Sequence, residues 1–175
     1  SRLRPVLEDD LELNKDGRYL CLYNISKLNN VRNMCITAAA FGYSVVLVGE
    51  AHKTLEDANE LGWATASGEQ GLKVQRTSSL ANLSRQLVAH GIPLYGIEIM
   101  DEAKSIADAS AVRAVPRVHA LMPGNEGSGL NAPQKRASTD FLYIPQYGHG
   151  TASLNVNVAI GIVMHTIAYP IDAPC

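Results

Sequence analysis

Pro123-Gly124-Asn125-Glu126-Gly127-Ser128-Gly129-Leu130 comes first, Ile144-Pro145-Gln146-Tyr147-Gly148 second, and Ser153-Leu154-Asn155-Val156-Asn157-Val158-Ala159 third. The reading of this ordered run decides the fold. Val118 to Met122 and Phe141 to Ile144 are short apolar runs that read as β-strands. Each of the first two turns therefore falls where a strand ends, and backbone amides and carbonyls there can meet a ligand without side chains intervening. The third segment opens an apolar helix over 154–168, with Ser153 or Asn155 placed to cap it. Taken singly, each glycine needs no more than a turn to explain it. A dinucleotide fingerprint is excluded, because Gly124-x-x-Gly127-x-Gly129 has the wrong order for Gly-x-Gly-x-x-Gly and lies too late in the chain.

Outward from this run the chain alternates between strand and helix. Tyr19 to Tyr23 reads as a buried first strand, Asn30 to Phe41 as a helix stopped by Gly42, and Ser44 to Val48 as a second strand closed by Gly49. A short helix is expected over Thr54 to Leu61, where Thr54 caps, and a short strand over Gln70 to Val74. Ser78 to His90 reads as a helix with Leu80, Leu83, Leu87 and Val88 on one stripe, and Pro93 to Ile97 as a further strand. The expected architecture is a layered α/β domain with a mostly parallel sheet, its ligands lying outside the carboxyl ends of the strands. Residues 1–18 form a polar lead-in, either an arm or the end of a linker; 19–170 form the domain, and 171–175 a tail.

Composition narrows the class. The 175 residues suit one domain, with 46% hydrophobic and 18% charged, as in an ordinary globular protein. No apolar run reaches the roughly 18 residues of a membrane span, since Asn157, Gly161 and His165 interrupt the longest candidate. Cys21, Cys35 and Cys175 have neither disulfide nor zinc spacing, and the five histidines have no ligand-like spacing, so we expect no metal and a reducing, cytoplasmic setting. A net charge of −2 and a pI near 6.2 do not advertise a nucleic-acid partner. The local basic pairs are Lys73/Arg76, Arg113/Arg117 and Lys135/Arg136.

The order and spacing of the opening run resemble motifs 2 and 3 of the SpoU (TrmH-like) branch of the SPOUT RNA methyltransferases. Asn30-Val31-Arg32-Asn33-Met34-Cys35-Ile36-Thr37-Ala38-Ala39-Ala40-Phe41-Gly42 resembles motif 1, and Tyr95-Gly96-Ile97-Glu98 the family's cofactor-lining strand end. The likeness runs over about 19–169. It implies a SPOUT fold with a deep C-terminal trefoil knot, which general connection rules would never suggest. It also implies a homodimer, S-adenosylmethionine as cofactor, and 2′-O-ribose methylation of tRNA or rRNA. The matching cofactor positions are Ile97, Glu98, Gly124, Asn125, Ile144, Gln146, Gly148 and Leu154. The matching catalytic positions are Asn30, Glu126, Ser153 and Asn155. By this reading Glu126 holds Asn30 or a basic group across the site, and Asn and Ser orient the reacting hydroxyl.

Two departures stand out. The motif 1 Arg corresponds to Ile36, and Arg32, four residues earlier and so about 6 Å back along the same helix face, is the substitute on offer. The stretch from Ile144 to Leu154 is one residue longer than usual and carries His149, a second candidate for proton transfer. With Ile36 in place of Arg, the alternative function is an inactive SPOUT-fold protein that binds RNA or assists ribonucleoprotein assembly. The last helix is apolar on nearly all sides, through Val156, Val158, Ile160, Ile162, Val163 and Ile167, so part of it, Ile160 included, is expected to pack against a second copy.

Overall fold

The apolar runs pair side by side in the computed structural model, which describes residues 10–49, 72–150 and 153–169. The strands are β1 (Arg18–Leu22), β2 (Ser44–Val48), β3 (Val74–Thr77), β4 (Leu94–Ile97), β5 (Lys104–Ser105), β6 (His119–Pro123) and β7 (Asp140–Tyr143). They form one sheet in the order β3-β2-β1-β6-β4-β7-β5, and every ladder is parallel. Between and after them come α1 (Leu28–Ala40), α2 (Leu80–Ala89), α3 (Ala109–Arg113), α4 (Ala132–Ala137) and α5 (Val156–Ala168).

Alternate strand residues serve opposite faces of this sheet. Leu20, Leu22, Val45, Leu47, Leu121 and Leu142 pack with Val31 and Met34 of α1 and with Ile160, Val163 and Met164 of α5. Tyr19, Cys21, Val46, Val48, Leu94 and Met122 pack with Leu80, Leu83 and Leu87 of α2. The result is the expected helix–sheet–helix layering. From β1 the chain builds outward through β2 to β3, then returns to add β4, β6 and β7 on the other side, so the order reverses at the middle of the sheet. In open parallel sheets the carboxyl ends near such a reversal form the binding crevice.

Several elements differ from expectation for identifiable reasons. β3 begins where the expected 70–74 strand was to end, because it is an edge strand whose polar Gln75 and Arg76 hide the alternation. Val88 is exposed, and Gln86 takes the buried place on α2, its Oε1 accepting the Leu11 N–H at 2.6 Å. Residues 10–17 accordingly lie on the domain: Leu11 is buried, the Glu12 N–H donates to Gln75 Oε1 at 2.6 Å, and Lys73 pairs with Glu12 at 2.6 Å. The sequence reading missed β5, α3 and α4. α4 starts with a capping box in which Asn131 and Gln134 satisfy each other's amides, a signature hidden behind the Gly-rich turn. The expected 54–61 helix and 171–175 tail lie outside the described residues.

Candidate active site

The loop that leaves β6 is shaped by its own backbone. Gly124 is buried, and a Cβ there would stand 2.6 Å from the Gly129 carbonyl carbon and 2.7 Å from the Leu130 nitrogen. Close self-approach of the loop is therefore what demands glycine at this position. The Asn125 N–H donates to Gly129 O at 2.9 Å and the Gly129 N–H returns to Asn125 O at 3.1 Å, closing a small bridge. Asn125 Oδ1 accepts from the Gly127 and Ser128 amides, and its Nδ2 donates to Asn24 O and Ser26 Oγ. This side chain is spent on bracing the turn and tying it to the β1–α1 connection. Glu98, at the end of β4, accepts the Leu130 N–H at 3.0 Å through Oε2 and the Ile99 N–H at 3.1 Å through Oε1. Gly129 has φ +69°, a conformation that favours glycine, and a Cβ there would lie 2.0 Å from Glu98 Oε2, so a larger residue would be strained and would push the Glu98 carboxylate from its present place.

A continuous polar chain joins this loop to the two long helices. Glu126 Oε2 accepts the Ser26 N–H at 3.0 Å, and Oε1 accepts the Lys27 N–H and Asn30 Nδ2, both at 3.0 Å. Asn155 Nδ2 donates to Asn30 Oδ1 at 3.2 Å. Asn155 Oδ1 accepts the Asn157 and Val158 amides, so Asn155, and not Ser153, caps α5. Thr37 Oγ1 bonds to Asn157 Oδ1 at 2.7 Å, fixing the middle of α1 against the first turn of α5. Burial raises the Glu126 pKa, but hydrogen bonds from Asn30, Lys27 and Ser26 outweigh it and bring the group to about 2. Glu126 is thus a fully ionised anchor for three donors. A carboxylate that acidic is a weak proton acceptor near neutrality.

The loops after β4, β6 and β7 and the start of α5 enclose a cleft of about 400 Å³. Its apolar lining includes Ile97, Pro123, Ile144, Leu154, Val156 and Ala159. Among the positions singled out from sequence, Ile97, Glu98, Gly124, Asn125, Glu126, Ile144, Gln146, Ser153 and Leu154 line it. Asn30 and Asn155 lie outside the lining but are hydrogen-bonded into its Glu126 edge. Gly148 does not line the cleft, and a Cβ there would meet no atom closer than 4.0 Å, so that glycine is not there for close approach. Arg32 is exposed on α1 and makes no hydrogen bond or ion pair among the described residues. Met100 and Tyr143 also line the cleft and went unnoticed as site residues, and Lys135, singled out only as half of a basic pair, lines it too. Only the topology, which sets α4 and the β4–β5 connection beside the Gly-rich loop, brings them there.

Ile36 is 53% exposed on α1, and Val158, Ile162 and Tyr169 are 47%, 37% and 67% exposed on and just after α5. Ile160, expected on the contact face, is fully buried and belongs to the core, since it points at the sheet. Among the described residues no group of His, Cys, Asp or Glu could hold a metal ion, and no helix is long and apolar enough to cross a membrane.

A Gly-rich cleft at the carboxyl ends of a parallel sheet, edged by a polar chain that joins two helix starts, is the arrangement of a ligand-binding α/β domain. The family model described as the SpoU rRNA Methylase family matches residues 17–165, and the chain belongs to that family. It is 30% identical over 138 residues to the Bacillus subtilis 23S rRNA (guanosine(2553)-2'-O)-methyltransferase RlmP, covering 78% of this chain and 52% of that protein. It is 29% identical over 169 residues to the Mus musculus tRNA (guanosine(18)-2'-O)-methyltransferase TARBP1, covering 89% of this chain and 10% of that one. The chain thus spans about half the length of the first relative and a tenth of the second. Among solved structures, an AdoMet-bound rRNA methyltransferase from Sinorhizobium meliloti matches with TM-score 0.68 at 22% identity, over 92% of this chain and 59% of that one. AviRb from Streptomyces viridochromogenes matches with TM-score 0.70 at 19% identity, over 91% and 61%. These two likenesses concern the fold.

Proposed function

We propose that this chain transfers a methyl group from S-adenosylmethionine to a ribose 2′-hydroxyl of tRNA or rRNA, as a cytoplasmic homodimer. The observation that carries the reading is the junction of the cleft with the Glu126–Asn30–Asn155 chain. The residues present suit the cofactor. Ile97, Ile144, Leu154, Val156 and Ala159 offer an apolar slot for adenine, and the volume falls in the range of small-molecule sites. Backbone amides and carbonyls of the loops at 97–100, 123–130 and 143–146 supply polar contacts. The knotted path, in which the last helix passes through a loop formed by the Gly-rich segments, belongs to the same proposal. The exposed apolar face of Ile36, Val158 and Ile162 suits a second copy.

The cofactor, when bound, supplies an electrophilic methyl carbon on a sulfonium. The chain has to hold the ribose oxygen in line with that carbon and give its proton a route away. Asn30 spends one N–H on Glu126 and one lone pair on Asn155, which leaves a second N–H and a second lone pair to orient the hydroxyl or a neighbouring phosphate. Glu126 keeps the Asn30 amide in one orientation, and Asn155 ties it to α5. Ser153 stands exposed at the cleft, with its hydroxyl available to the sugar. The proton leaves to water or to an RNA phosphate, and Arg32, exposed on α1, is the cation assigned to steady that phosphate.

A second reading is favoured by Ile36, which presents an exposed apolar side chain where the family pattern places Arg. On that reading the chain binds RNA and assists ribonucleoprotein assembly without chemistry. Incubation with labelled S-adenosylmethionine and total RNA, followed by mapping of the labelled nucleotide, decides between them. We expect label on a ribose 2′-oxygen. Cofactor binding with no label in any RNA would establish the inactive reading.

A further inference from the structure

Among the described residues, Lys135 is the one cationic side chain lining the cleft, and it makes no hydrogen bond or ion pair. It stands on α4, whose Ala137 packs with the α2 side of the sheet, whereas Asn30 and Asn155 belong to helices of the opposite side. The cleft therefore carries its free positive charge away from the Glu126 junction. Two carboxylates also line it. Glu126 is occupied by three donors. Glu98 accepts one amide on each oxygen and so keeps a lone pair on each. One available anion and one unpaired cation, entering from the end of β4 and from α4, match a ligand group that bears both charges. A polyanion would suffer Glu98 beside it, in a chain whose net charge is −2.

We propose that Lys135 and Glu98 clamp the amino-acid end of the cofactor, Lys135 taking the α-carboxylate and Glu98 the α-ammonium. This rests on reading the cleft as a site for S-adenosylmethionine. It gives the loop brace Glu98 a second task and assigns a binding role to a helix that sequence reading did not reveal. The clamp also orients the ligand, because it fixes the amino-acid arm on the α4 side and leaves the methyl group free to face Asn30.

Calorimetry with adenosylhomocysteine and 5′-methylthioadenosine, which lacks the amino-acid arm, tests the clamp. Lys135→Gln should weaken adenosylhomocysteine about 5- to 30-fold, the lower end reflecting an exposed lysine, and leave 5′-methylthioadenosine within about twofold. Lys135→Arg should recover most of the loss. Removing the amino group from adenosylhomocysteine should weaken binding to the wild-type chain and have little further effect in Glu98→Gln. Equal losses for both ligands, or none for adenosylhomocysteine, would overturn the clamp. Unchanged adenosylhomocysteine affinity with weakened RNA binding would also overturn it and move Lys135 to the substrate. Failure of the wild-type chain to bind either small ligand would instead remove the cofactor reading beneath it.

Discussion

Replacing Gly124 by Ala adds one methyl group where no space exists. Its carbon would stand 2.6, 2.7 and 2.8 Å from the Gly129 carbonyl carbon, the Leu130 nitrogen and the Gly129 Cα. All three are backbone atoms, so no side-chain rotation relieves the contact and the 124–130 loop must open. Opening it strains the paired Asn125–Gly129 hydrogen bonds and the Leu130 amide bond to Glu98. Overpacking costs about 1–3 kcal/mol, and loss of one or two of these bonds adds roughly 1 kcal/mol each, so a total of about 2–5 kcal/mol is expected. Urea denaturation should show a lowered midpoint with an unchanged slope. Adenosylhomocysteine affinity should fall as well, because the same loop walls the cleft. Gly148→Ala is the control: with its nearest neighbour 4.0 Å away, it should change neither quantity beyond about 0.5 kcal/mol. Equal stability of the two variants would refute the claim that Gly124 exists for loop closure.

Glu126→Gln should lower stability by about 1–3 kcal/mol near neutral pH, since an amide group would face three donors with one oxygen; an unaltered denaturation midpoint would refute its anchoring role. Because the Glu126 pKa lies at about 2, below its ordinary 4.5, its stabilisation is present above pH 4.5 and disappears as pH falls toward 2. The acid limb of wild-type stability should therefore be steeper than that of the Gln variant. Arg32→Ala should reduce methyl transfer about 30- to 1,000-fold with cofactor affinity unchanged, and Ile36→Arg in that background should restore part of the rate. Unaltered turnover would remove Arg32 from the reaction and make His149 the next candidate. Ile162→Asp, at an exposed apolar position on α5, should yield a folded monomer by light scattering, whereas persistence of a dimer would move the interface elsewhere.

How far the sequence spoke depended on the range of each interaction. β2 was legible to the residue, because Ser44 to Val48 is a β-branched run closed by Gly49, which has φ +82°. Gly42 and Gly91, with φ +73° and +65°, ended their helices as local rules require. Cleft residues near the two turns were legible for the same local reason. The places of Met100 and Tyr143 in the cleft were not, nor was that of Lys135, which the sequence offered only as one of three basic pairs, because their neighbours across the cleft are set by sheet order. The exposure of Val88 was hidden as well, since the lead-in covers Gln86 through a contact 75 residues away in sequence.

The junction also gives Asn30 a structural role that does not depend on an Arg at position 36. At 7% exposure, its amide would be costly to leave unpaired, and Glu126 and Asn155 provide partners on both sides. Position 36 is the opposite case. It is 53% exposed on α1, so packing within this chain does not fix the residue there. The Glu126–Asn30–Asn155 chain therefore builds the edge of the cleft, and on the proposed reading exposed groups such as Arg32, Ser153 and His149 act on the hydroxyl beside Asn30 without bracing the fold. A chain with Asn30→Ala should lose stability and cofactor affinity together, as the Glu126 turn and the α5 cap lose their common partner. A chain with Arg32→Ala should lose rate alone. If both changes reduced rate and stability in the same proportion, the division between a built cleft and a separate chemical surface would fall.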